Sequence, residues 1–244
     1  MYTRLVMQVY SCSINLVLCM EVRFMDIEAN VKLFLSDGDK QQGLQPQERF
    51  ASFDFCYNYF QLFRENGCTV TLAAPDNIQQ SCLQLGFYLA SWGMLRGSSF
   101  LQLKSAKFYE PLINYIANAE LVVWDIDVDS YTDDNIESLL QCVDAIARIL
   151  RDDIPVSGTL VTKIMLGVFG NVPAFDKWFV SGSGIRWTGR NAFQRVGNLY
   201  QENRAVIDSC QIPTLDFVSG QKTHRFYSKA KIIDMACFVQ GKQT

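Results

Sequence analysis

Two segments of this chain place chemically capable side chains in apolar surroundings. In Ser157-Gly-Thr-Leu-Val-Thr-Lys-Ile-Met-Leu-Gly-Val-Phe-Gly-Asn-Val-Pro-Ala-Phe-Asp-Lys-Trp-Phe179, a turn feeds an apolar helix bearing Lys163. Pro173 then leads into Asp176 at the start of another helix. A carboxylate there is predicted to act as a cap or first-turn acid, a role that needs no chemistry. In Gly86-Phe-Tyr-Leu-Ala-Ser-Trp-Gly-Met-Leu-Arg-Gly-Ser-Ser-Phe-Leu-Gln102, Trp92 and Arg96 are one helical turn apart. The guanidinium can reach toward the indole, or Arg96 can anchor a carboxylate or phosphate. Gly86, Gly93 and Gly97 share that helical pattern. Glycine in a helix costs about 1 kcal/mol relative to alanine, so the pattern predicts close approach by another backbone or by a ligand. One form of that prediction is a tight helix crossing at Gly93 and Gly97, with Arg96 paired to an acidic partner.

Other candidate chemistry fails on its own spacing. Asp125-Ile-Asp-Val-Asp129 begins like an EF-hand loop, but Ser130 and Ile136 occupy the positions that need glycine and glutamate. An acidic helix entrance, capped by Ser130 or Thr132 with Asp133 and Asp134 in the first turn, accounts for those residues better. His224 is the only histidine, in the polar stretch Lys222–Tyr227, so two-histidine metal sites and histidine triads have little support. Gly182-Ser-Gly184 lacks the rest of any phosphate-loop pattern. The eight cysteines are scattered without a C-x-x-C pair, which argues against structural zinc. They suit small core residues in a reducing cytoplasm. No metal and no cofactor follows from any of these residues.

The net charge of −3 gives no global attraction to nucleic acid or acidic membrane. Its distribution is more informative. Between Lys163 and Lys231 ten cations, Arg190 and Arg195 among them, face only Asp176, Glu202, Asp208 and Asp216. A basic second half of this kind can hold phosphate, and the expectation is that Lys163, Arg190 and Arg195 share a concave site with Asp176.

The order of parts in residues 157–179 resembles the helix-hairpin-helix DNA glycosylases. That family joins a glycine-containing hairpin and a Thr/Lys-bearing helix to a catalytic aspartate after a proline-containing turn. The resemblance places Thr162 and Lys163 at the hairpin-helix position and Asp176 at the aspartate. It implies that the aspartate stabilises a sugar cation or activates water, and that Lys163 acts as nucleophile or contacts phosphate. The hairpin departs from the family in lacking Gly-x-Gly, and Lys163 stands closer to Asp176 than is usual. Separately, Leu89-Ala-Ser-Trp-Gly-Met-Leu-Arg-Gly-Ser-Ser99, with Lys163–Phe179 and Lys229-Ala-Lys-Ile-Ile-Asp-Met235, is similar to a set of uncharacterised bacterial proteins. That likeness implies a bacterial or mobile-element origin and no activity.

The elements that must position these residues are helical. Apolar residues make up 49% and charged residues 19%, a globular composition. Helical periodicity marks Phe50–Phe60, in a helix that Pro46 is expected to open, Ile78–Trp92, Leu112–Ile116 after Pro111, Ile136–Leu150 and Leu160–Phe169. It also marks Asn191–Ile207 and Ser228–Val239. Only Cys68–Ala73 and Leu215–Val218 suggest short extended pieces. The fold class is therefore all-α or nearly so: a compact multi-helix bundle with room for one short hairpin. Residues 25–244 are expected to form a single helical domain. Residues 1–24 are expected to be an N-terminal appendage: the Leu5–Leu18 stretch resembles a signal peptide, but Gln8 and Asn15 interrupt it and no cleavage site follows. A translation start at Met20 or Met25 is the other reading.

Three functional readings follow. The leading one is a cytoplasmic, nucleic-acid-associated protein, in its sharpest form a base-processing enzyme acting on DNA, with Asp176 and Lys163 catalytic. Trp92, Arg96, Arg190 and Arg195 would contact ligand or nucleic acid. The alternative is a non-catalytic interaction module whose glycine-rich helix packs on a protein partner or on a second copy. A third is a small-ligand pocket around Trp92 and Arg96. No membrane association is expected.

Overall fold

The computed structural model describes residues 25–36, 44–97, 99–151 and 155–243. The expected N-terminal appendage lies outside them. Chain order gives α1 (Ile27–Leu35), α2 (Ala51–Glu65), α3 (Ile78–Ser91), α4 (Glu110–Ala117), α5 (Leu121–Asp125) and α6 (Asp133–Ile149). It continues with α7 (Gly158–Val168), α8 (Lys177–Ser183), α9 (Arg190–Glu202), α10 (Arg204–Ser209), β1 (Pro213–Leu215), β2 (Lys222–Phe226) and α11 (Lys229–Gln243). Among the described residues the fold is nearly all-α, with one antiparallel hairpin pairing Pro213 with Phe226 and Leu215 with Lys222.

Two helices form the centre. Leu160 to Val168 of α7 and Ala230 to Val239 of α11 are buried residue after residue, so neither helix has a solvent face. The remaining helices are arranged around them, as α6 is, with Ile136, Leu139, Val143 and Ile146 inward and Thr132 capping its start. The start of α11 is fixed from a distance. The Asp127 carboxylate accepts from the Lys229 and Ala230 amides at 2.7 and 2.9 Å, so within the acidic run Asp127 is a cap, while Asp125 pairs with Arg64 and Asp129 with Lys229 Nζ. Burial pushes Asp127 up to about 6, against the pull of those N–H groups.

The close helix crossing lies elsewhere than Gly93 and Gly97. The helix carrying Trp92 stops at Ser91. Gly93 follows with φ 76°, its amide donating to Ala90 O while the Met94 amide donates to Leu89 O. That is a Schellman ending, which needs a left-handed residue just past the cap. Gly97, at φ 63°, has open space around it. The backbones that meet are those of α8 and α11. A Cβ on Gly182 would overlap the Cys237 carbonyl, and one on Gly241 would overlap the Trp178 carbonyl.

Smaller departures have local causes. Pro46 begins a turn that precedes α2, not the helix itself. Residues 69–73 form a 3-10 turn, not an extended piece. The helix expected over 191–207 breaks at Asn203, whose side chain donates to Leu199 O. His224 stands exposed on β2.

Candidate functional site

The ending of α3 leaves the Trp92 carbonyl without an intrahelical donor. Lys163 supplies one, its Nζ lying 2.9 Å from Trp92 O. The same Nζ is 3.3 Å from Asp176 Oδ2. The Lys163 side chain is 5% exposed and that of Asp176 is 16%, so Asp176 is the member of the pair nearer solvent. The other carboxylate oxygen, Oδ1, accepts from the Trp178 and Phe179 amides at 2.9 and 3.0 Å, capping α8. Asp176 is therefore a helix cap and an ion-pair partner at once, and the expected capping role describes only half of it.

The loop that delivers Asp176 is held by side chains throughout. Tyr131 donates to Asn171 O, and Asn171 donates to Val123 O. Thr162 accepts from the Phe175 amide at 3.0 Å, while Thr159 donates to Phe175 O. Asp234 Oδ1 accepts from the Ala174 amide at 3.0 Å. The two central helices thus hold the loop from both sides.

Asp234 brings a second lysine into the site. Its Oδ2 is 3.1 Å from Lys231 Nζ, and both groups are buried. The Lys231 ammonium lies over the rings of Phe53, Trp92 and Phe34, at 4.6, 4.6 and 5.1 Å from their centroids. Each ring face attracts a cation, more strongly where water is excluded. Lys163 lies 5.7 Å from the Trp92 centroid. Tyr88 closes the side toward α3, donating from its hydroxyl to Lys163 O and packing against Gly167, where a Cβ would collide with its ring.

Tyr88, Trp92, Lys163, Asp176, Lys231 and Asp234 thus line one crevice, with Phe238 beside them. It is closed in this state, too tight for a water-sized sphere. Trp92 Nε1 is buried with no hydrogen-bond partner. Burial pushes the Lys163 amine below its usual value and the Lys231 charge adds to that effect, while Asp176 and Asp234 oppose it. Burial pushes the Asp234 carboxyl up, opposed mainly by Lys231.

Of the residues that the sequence singles out, the structure brings Lys163, Asp176 and Trp92 together. Arg96 is exposed in the turn after α3, and the cations near the Trp92 ring are the two lysines. Arg190 lies at the start of α9, 42% exposed and 2.5 Å from Glu137 of α6. Arg195 is exposed on α9, and neither arginine lines the crevice. Lys231 and Asp234 were missed, although a visible signal marks them: a lysine with an aspartate three positions on, inside an otherwise apolar helix, where an unpaired charge would be costly.

A second feature lies on the surface. A groove of about 620 Å³ runs along α2 and α3, lined by Phe55, Leu83, Phe87 and Phe217 with Pro46 and Arg49. Phe87 and Phe217 are about 70% exposed, at 70% and 71%. Compared with family models, curated proteins and solved structures, the chain matches none. No helix among the described residues is long and apolar enough to cross a membrane.

Proposed function

We propose that this chain is a nucleic-acid-associated protein of a reducing cytoplasm that processes a DNA base, with Lys163 and Asp176 as its working groups. The observation that carries the reading is the 3.3 Å approach of the Lys163 amine to Asp176 beside the Trp92 ring. An amine biased toward its neutral form is a nucleophile, and a neighbouring carboxylate can take up a proton or stabilise a developing cation. Asp176, as the more exposed partner, is where a substrate arrives. Lys177, Arg186 and Arg195 are exposed cations that follow it in the chain and can hold phosphate. The resemblance of residues 157–179 to helix-hairpin-helix glycosylases points the same way. The six described cysteines are free, in keeping with a reducing compartment.

Titration of labelled single- and double-stranded DNA at increasing salt tests this, with Lys163→Ala and Asp176→Asn beside the parent. The expected result is binding that weakens steeply with salt, followed by base release that both variants lose. Absence of binding even at low salt overturns the reading.

The groove favours a second reading, that of an interaction module. Leu83 and Phe87 project from the outer face of α3, the helix of the glycine-bearing segment, and a contiguous exposed apolar surface is characteristic of association sites. Sedimentation of the parent and of Phe87→Asp decides it. Self-association that the variant abolishes supports this reading, and a monomer at all concentrations removes the second copy as partner.

A further inference from the structure

Lys163 and Asp176 do not stand alone. Each is supported by one member of a second ion pair on α11, and the two supports differ in kind. Asp234 accepts from the Ala174 amide and thereby fixes the loop two residues before Asp176. Lys231 places a buried positive charge in the crevice that Lys163 lines, surrounded by three ring faces that favour a cation there. Two ammonium groups in one water-poor crevice repel each other, and the repulsion falls most heavily on the group without such a box. Lys163 has the Trp92 carbonyl, Asp176 and one more distant ring.

We propose that Lys231 and Asp234 are positioning residues for the Lys163–Asp176 pair: the Lys231 charge adds to burial in favouring a neutral Lys163 amine, and Asp234 aims Asp176. This rests on the reading of Lys163 as a working amine. The charged and titratable groups around Lys163 are Asp176 at the start of α8, Lys231 and Asp234 on α11, and Tyr88 on α3. Asp54 of α2 faces the Lys231 side of the cluster. Loss of the Lys231 charge removes a repulsion and leaves Asp234 unneutralised, so both consequences raise the pH at which Lys163 loses its proton. Loss of the Asp234 charge has the opposite effect, because that carboxylate, when ionised, is a neighbour that holds the proton on Lys163.

The test is competitive labelling of lysines with acetic anhydride across pH, read for Lys163 by peptide mass spectrometry on the full chain. Lys231→Met is expected to move the Lys163 midpoint upward and to lower its labelling at neutral pH about tenfold for each unit moved. Asp234→Asn is expected to move it downward. A purely structural role for α11 would shift neither midpoint, or would loosen the crevice and shift both in one direction; either result overturns the proposal. If Lys231→Met does not fold, Asp234→Asn decides alone, a downward midpoint supporting the proposal and an unchanged or upward one ending it. The labelling uses no DNA, so failure of the nucleic-acid reading and failure of this inference are seen separately.

Discussion

Lys163 and Lys231 sit at the centre of the molecule among aromatic rings, whereas Leu83 and Phe87 face outward from α3. Each arrangement reverses what transfer from water favours. A buried ammonium loses its hydration and is tolerated only where carboxylates, carbonyls and ring faces replace it. An exposed phenylalanine forgoes the gain that burial would bring. The crevice is dense, closed and internally satisfied except at the Trp92 indole N–H; the groove is open and apolar. The proposed chemistry rests on the first, where the environment alters the amine. The proposed association rests on the second, where apolar surface is open.

The sharpest way to break this contrast is to remove one charge from the crevice. Lys231→Ala strands Asp234 in the core, and truncating one member of a buried pair typically costs about 3–5 kcal/mol. Replacing both residues together by apolar groups of similar volume is expected to cost less, because no charge is left unpaired and only the Ala174 amide loses its acceptor. Urea denaturation of the single and double variants measures the difference. Equal losses would mean that the pair contributes packing alone.

Next to the crevice, Asp54 makes the same kind of environment visible through pH. It is fully buried, accepting from the Leu215 amide and the Tyr227 hydroxyl at 2.7 Å each. Burial pushes it from 3.8 to about 7. The folded chain therefore holds a proton that the unfolded chain has released across that window. Stability from this group is highest at the acid end and falls as pH rises from about 4 to 7, by up to about 1.4 kcal/mol per pH unit. Asp54→Asn removes this term and leaves those of the other carboxylates. The stability difference between parent and variant should move against the parent as pH rises, and a flat difference would show that Asp54 is ionised in the fold throughout.

How much of this is legible in the sequence depends on the range of the interactions. Helices with an apolar stripe, such as α6, follow from periodicity because their environment is set by residues three and four apart. Gly93 misleads because a glycine inside an apolar period looks like a crossing, while its dihedral requirement belongs to a helix ending. The Lys163–Asp176 approach depends on a loop fixed by Thr162, Asn171 and Asp234, one of them from another part of the chain. Local spacing can suggest that pair but cannot aim it. Lys231 is harder still, since the rings that surround it come from α1, α2 and the end of α3.

The groove yields the smallest effect on folding, and that is what makes it informative. Leu83 and Phe87 are 45% and 70% exposed, so their replacement by serine removes little from the core and should change stability by no more than about 0.5 kcal/mol. If the groove receives a second copy, the same two substitutions should abolish self-association, giving a large change in assembly with almost none in the denaturation midpoint. A substantial loss of stability in the monomer would show instead that Leu83 and Phe87 complete the packing of Phe55 and of Phe217 in the turn of the hairpin. The groove would then be the outer edge of the core, and the buried lysines of the crevice would stand, with Asp54 and Asp127, among the departures from ordinary burial in the described residues.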